Sequence, residues 1–164
     1  MRQLERIQRI ATKVRAALEA VAPKINKRVK GDEESLACFC AIASHALHTA
    51  FKKKRIKSQL IVGYFDEDAI WDDLGDEEID ALDPNHCWVE TPYGIVDITA
   101  TQFKDSEYVN KKVVIVDNNN PQKTGFYPLE FPQSDNSIHL SKSKWGQQAP
   151  DKKYTKQILA LAQI

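Results

Sequence analysis

No apolar run in the chain approaches the ~18 consecutive residues that a membrane-spanning helix needs, which excludes an integral helical membrane protein. The first residues, Met1-Arg2-Gln3-Leu4-Glu5-Arg6, lack an apolar segment ahead of a small-residue cleavage site. No ordinary signal peptide is visible, so a cytoplasmic protein is expected; delivery by a specialised secretion system would leave no such mark. Cysteine is scarce. Cys38, Cys40 and Cys87 cannot complete a disulfide set, and with no export signal they read as reduced thiols. Net charge is also missing, with 23 Lys and Arg against 23 Asp and Glu. A whole-molecule field for nucleic acid is thereby excluded. Internal repeats are absent, and 164 residues fit a single domain spanning 1–164.

What is present is strongly segregated. Residues 1–57 carry 14 cations against 5 anions, while residues 58–90 carry 11 anions and no Lys or Arg. Leu4, Ile7, Ala11, Val14, Leu18, Val21 and Ile25 recur at steps of three and four, which predicts an amphipathic helix over 3–29 with a break near Pro23. Gly31 to Ser35 reads as the break before a second helix, running from about Leu36 into Lys52-Lys53-Lys54-Arg55, cations suited to a helix C-terminus. Gln59–Phe65 has the β-branched and aromatic content of a strand. The acidic stretch Asp66–Asp83 lacks the alternating ligands and central glycine of a calcium loop. It reads as a short helix or long loop, able to rim a cleft or to lie solvated. His86–Glu90, Thr91-Pro92-Tyr93-Gly94 and Ile95–Thr99 read as a β-hairpin. Further strands are expected at Lys112–Val116, Phe126–Phe131 and Ser137–Leu140, and a last helix opens after Pro150-Asp151 with Tyr154, Ile158, Leu161 and Ala162. Helices followed by strands imply an α+β fold rather than βαβ units.

The chemistry centres on thiols. Cys38 and Cys40 lie about 200° apart around a helix and cannot share a site. Cys40 shares a stripe with Ser44, Leu47 and Phe51 and falls in the first turns of the second helix, where unpaired N–H groups and the positive dipole end stabilise a thiolate. Alone, a cysteine in Ala-Cys-Phe-Cys-Ala-Ile-Ala is usually just a small core residue. The hairpin adds to it. A two-residue loop puts His86 opposite or diagonal to Asp97 on one face, whereas a three-residue loop reverses the parity unless a bulge restores it. On one face, Asp97 fixes the tautomer of His86 and stabilises its imidazolium, and His86 moves the proton of Cys40.

The helix segment Cys40-Ala41-Ile42-Ala43-Ser44-His45-Ala46-Leu47, the strand His86-Cys87-Trp88-Val89-Glu90 and the strand Val96–Phe103 together resemble the transglutaminase-like branch of the papain-like superfamily. The resemblance covers about residues 36–103. It implies a papain-like fold with the nucleophile helix packed on an antiparallel sheet, Cys40 as nucleophile, His86 as general acid/base and Asp97 as orienting residue. Phe39 stands where that family often has glycine. The backbone N–H of Cys40 is an expected oxyanion donor, with Gln59 or Trp71 as a second. Trp88, on the face of His86, walls the cleft or packs in the core.

A zinc site from Cys38, Cys40, His45, His48, His86 and Cys87 fails on spacing: its Cys-x-Cys and His-x-x-His pairs fall on different helical faces. Neither metal nor cofactor is expected. His45 and His48 read as exposed or interfacial, His139 has no evident partner, and Ser44 reads as packing or bonding within its helix. The expected activity is cysteine-dependent acyl transfer on a peptide bond or glutamine carboxamide through a thioester, more hydrolase than crosslinker. A protein or peptide is the expected partner, without nucleic acid or membrane. The competing expectation is a non-catalytic adaptor on a papain-like scaffold, using the basic helices and the acidic middle as surfaces.

Overall fold

A computed structural model describes residues 2–25, 39–65, 85–117, 119, 124–128 and 152–164. In chain order these form helices α1 (Arg2–Ile25) and α2 (Cys40–Lys53), then strands β1 (Gln59–Phe65), β2 (His86–Thr91) and β3 (Gly94–Asp97). A 3-10 turn (Ala100–Gln102), strands β4 (Val114–Val116) and β5 (Phe126–Pro128), and helix α3 (Lys152–Leu161) complete the order. The class is α+β. Among the described residues all strand pairs are antiparallel, in one sheet ordered β4-β3-β2-β1-β5 with β2 in the middle of the five.

The helices cover one face of that sheet. The apolar stripe of α1 buries Ile7, Ala11, Val14, Leu18 and Val21 together with Leu47 and Phe51 of α2, Ile158 of α3, and Val89 and Val96 of the sheet. Leu4 and Leu161 depart from the expected stripes and are 42% and 53% exposed. Both occupy terminal turns of their helices, where less of the neighbouring layer is left to cover them. The opposite sheet face holds a second cluster built from Phe65, Trp88, Phe103, Tyr108 and Phe126. A strand covered on both sides loses the alternation of a half-exposed one, which is why every residue of β2 except Glu90 is buried. Gly63 of β1 is needed here, since a Cβ at that position would sit 2.2 Å from the Trp88 ring.

The β2–β3 connection decides the parity on which the site depends. Thr91 pairs with Gly94, leaving Pro92-Tyr93 as a two-residue loop. Among the described residues, neither has positive φ, so the mirror-image turns usual in such hairpins are absent. The positive φ falls on Gly94 instead, at 122°, where a Cβ would meet the Val116 carbonyl at 2.2 Å. The Thr91 hydroxyl braces the turn, donating to the Gly94 carbonyl at 3.0 Å and accepting from the Tyr93 N–H at 3.1 Å.

Of the helix expected over 3–29, α1 covers Arg2–Ile25 with Pro23 inside it, and 26–29 lie outside the described residues. Strand boundaries differ from those expected. The strand expected from Val96 to Phe103 stops at Asp97, because Ile98 and Thr99 turn into the 3-10 segment. The strand expected from Lys112 begins at Val114. The Gly31–Ser35 break, Cys38, the acidic stretch 66–83 with Trp71, and Ser137–Leu140 with His139 lie outside the described residues.

Candidate active site

Cys40 is the first residue of α2 and is preceded by Phe39, whose side chain makes no capping hydrogen bond. No acidic residue occupies the first turn, so none of its side chains adds negative charge beside a thiolate at the positive end of the helix. Ser44, one turn later on the same stripe, donates its hydroxyl to the Cys87 carbonyl at 2.9 Å. This bond runs to β2 rather than within the helix, as had been expected of Ser44, and pins α2 to the strand at residue 87. One turn before it, Cys40 packs with Ala41, Val62 and Cys87.

His86 and Cys87 are consecutive in β2 and point to opposite faces, yet the Cys40 sulfur interacts with both the His86 ring and the Cys87 thiol. Contact with both faces is possible because these residues open the strand, where a group at the sheet's end reaches around it. Asn85 fixes that end: its side chain exchanges a pair of hydrogen bonds with the Phe65 backbone, at 2.7 and 2.9 Å.

The hairpin register then carries Asp97 onto the face of His86, diagonal to it. His86 Nε2 donates to Asp97 Oδ2 at 2.6 Å, so Nδ1 is the ring nitrogen turned away from the carboxylate. The second Asp97 oxygen accepts from the Thr99 N–H at 2.7 Å and from the Thr99 hydroxyl at 3.0 Å. With both oxygens engaged the carboxylate cannot rotate freely, and it holds one ring orientation. Cys40, Cys87, His86 and Asp97 are each at most 2% exposed, so their charges interact in a poorly screened environment.

The electrostatics follow from these contacts. Cys40 is lowered from 9.0 to about 5, chiefly by the hydrogen bond from the Cys87 thiol; burial opposes this, and the His86 ring adds to it. Burial pushes His86 down, but the charge and hydrogen bond of Asp97, with the bond to Cys40, outweigh it and raise the ring from 6.5 to about 10. Cys87 is raised well above 9.0, first by the hydrogen bond it gives to Cys40, so it stays a thiol and donor. Both shifts favour a Cys40 thiolate beside a His86 imidazolium.

Four contributors were not singled out in the sequence. Thr99 is one, and its Asp-x-Thr spacing is a known side-chain-to-backbone turn pattern that could have marked it. Cys87 is another, weighed in the sequence only as a reduced thiol and as a zinc ligand. Gln102 brings its amide to 3.2 Å from His86 Nδ1. The amide nitrogen faces the ring and donates to a neutral Nδ1, whereas a protonated Nδ1 calls for the amide turned to present its oxygen. The fourth is Arg15, on the buried side of α1 and only 2% exposed. Its guanidinium donates to the Ile98 carbonyl and, at 3.2 Å, to the Thr101 hydroxyl, clamping the segment between Asp97 and Gln102.

The remaining sequence candidates are placed as follows. Gln59 pairs with Glu90 at the far end of β1, roughly 13 Å along the strand from Gly63, the partner of His86, so it is not brought to the sulfur. Trp88 shares the face of His86, with ring centroids 6.1 Å apart, but is fully buried in the aromatic cluster. His45 and His48 are half-buried and meet Thr155 and Ser58, each at 3.0 Å. No family model, no curated protein and no solved structure matches this chain.

Proposed function

We propose that this chain is a cysteine-dependent acyl-transfer enzyme of the transglutaminase-like, papain-like kind, acting as a hydrolase on a peptide bond or a protein glutamine carboxamide. One observation carries the reading: a buried thiol at the first residue of a helix, beside a buried imidazole that is held by an aspartate 2.6 Å away. In the proposed reaction the Cys40 thiolate attacks the amide carbonyl carbon, and the carbonyl electron pair moves to oxygen. The backbone N–H of Cys40, outside the ladder of α2, is an oxyanion donor. The His86 Nδ1 proton passes to the nitrogen, which leaves as ammonia or an amine, and a thioester remains on Cys40. The now neutral ring takes a proton from water as the water attacks the thioester. Collapse expels the thiolate, releases the acid and restores the ion pair. Asp97 orients the ring and stabilises its positive charge throughout.

The test is to incubate the protein and its Cys40→Ala variant with a proteome and search by mass spectrometry for deamidated glutamine, new chain ends or crosslinks. The reading expects deamidation or cleavage from the parent protein, lost in Cys40→Ala and retained for the most part in Cys38→Ser. Equal product from Cys40→Ala would reject it.

A further inference from the structure

The amide chemistry needs one sulfur, but the site holds two. Cys87 is a buried thiol that attacks nothing in the proposed reaction, and it packs in one small cluster with the nucleophile. Two anchors hold the pair in register: the Ser44 hydroxyl on the Cys87 carbonyl, and the shared packing of Cys40, Val62 and Cys87. Ser44 and Cys40 are one helical turn apart, so the bond that docks α2 on β2 also aims the Cys40 sulfur at residue 87.

We propose that Cys40 and Cys87 form an oxidant-modifiable dithiol, in which a hydroperoxide oxidises Cys40 and Cys87 then closes on it as an intramolecular disulfide. In the first step the Cys40 thiolate attacks one peroxide oxygen and the O–O bond breaks. Cys40 becomes the sulfenic acid and hydroxide leaves, taking a proton from solvent. In the second, the Cys87 sulfur attacks the Cys40 sulfur and the S–O bond breaks. The Cys87 proton goes to the departing hydroxyl, which leaves as water. Peroxide is the two-electron oxidant and the two cysteines are oxidised together. The disulfide blocks the nucleophile reversibly and protects it from irreversible sulfinic acid. This inference rests on Cys40 being the reactive thiolate of the proposed function.

The experiment treats the full-length protein and its Cys38→Ser variant with hydrogen peroxide under native conditions, quenches, unfolds, alkylates and maps the peptides. The expected product is a peptide pair joined through Cys40 and Cys87 and lighter by two hydrogens, with alkylation of both residues lost and restored by dithiothreitol. In a Cys38→Ser, Cys87→Ser protein, Cys40 should instead be trapped as sulfenic acid by dimedone and progress to sulfinic acid. Cys87→Ala repeats that arm if serine does not fold. Sulfinic acid on Cys40 with Cys87 still alkylatable overturns the inference, as does a Cys40 that peroxide leaves unchanged. The readout needs no substrate. A disulfide formed by a protein without amidase activity would overturn the proposed function alone, and activity without the disulfide would overturn the dithiol alone.

Discussion

Asp97 serves two partners with two oxygens. Oδ2 takes the His86 ring and Oδ1 takes Thr99, so an amide substitution weakens both the orientation of the imidazole and the turn that follows. Asp97→Asn is expected to lower kcat by about 10²–10⁴-fold, with a smaller effect on KM, measured by steady-state kinetics once a substrate is in hand. Arg15 acts at greater distance. Replacing it with Met leaves the Ile98 carbonyl and the Thr101 hydroxyl without their buried donor, a loss of about 2–3 kcal/mol expected in chemical denaturation. Cys40, His86 and Asp97 could be found in the sequence because each is a chemically distinctive side chain in a short, regular element. Arg15 and Gln102 could not, because they act across the fold. A cation inside an apolar helical stripe shows in sequence only as an interruption, and its partners lie 83 and 86 residues away.

Among the elements, β2 and β3 matter most, because the face on which Asp97 emerges is fixed by the length of one turn. The two-residue loop at Pro92-Tyr93 was one of the alternatives open in the sequence, and it is the one observed. Inserting one residue between Pro92 and Tyr93 shifts the parity of β3 and turns Asp97 away from His86. The expected result is a folded protein by circular dichroism with an ordinary, slowly alkylating thiol at position 40. Gly94→Ala should cost more than about 1 kcal/mol in a thermal or denaturant melt, since alanine is strained at positive φ and its Cβ meets the Val116 carbonyl. The stripe of α1, the span of β1 and the hairpin were legible because their periodicities are long and their turn residues explicit. The early end of the Asp97 strand was not. Ile98 and Thr99 have strand-like chemistry, and it is the tertiary clamp from Arg15, with the Asp97–Thr99 bonds, that turns the backbone there.

On the scale of the whole molecule, the thiolate and the imidazolium sit where the helical layer meets the end of the sheet, so unfolding separates them. The thiol, lowered from 9.0 to about 5, adds stability that is present above 9 and lost as pH falls to 5. The ring, raised from 6.5 to about 10, adds stability that is present below 6.5 and lost as pH rises to 10. Between about 6.5 and 9 the two slopes oppose each other, so their joint contribution is expected to be flat there and to fall on both sides. Melting temperatures across that range, compared with those of Cys40→Ala, should show the plateau narrow or disappear in the variant. The same pairing gives the most direct measurement of all: the rate of Cys40 alkylation by iodoacetamide against pH, read by peptide mapping. The expected rate is half-maximal near pH 5 and level into the alkaline range, with the midpoint moving upward in His86→Asn. A Cys40 that titrates like an ordinary thiol near about 8.5 in both proteins would contradict it.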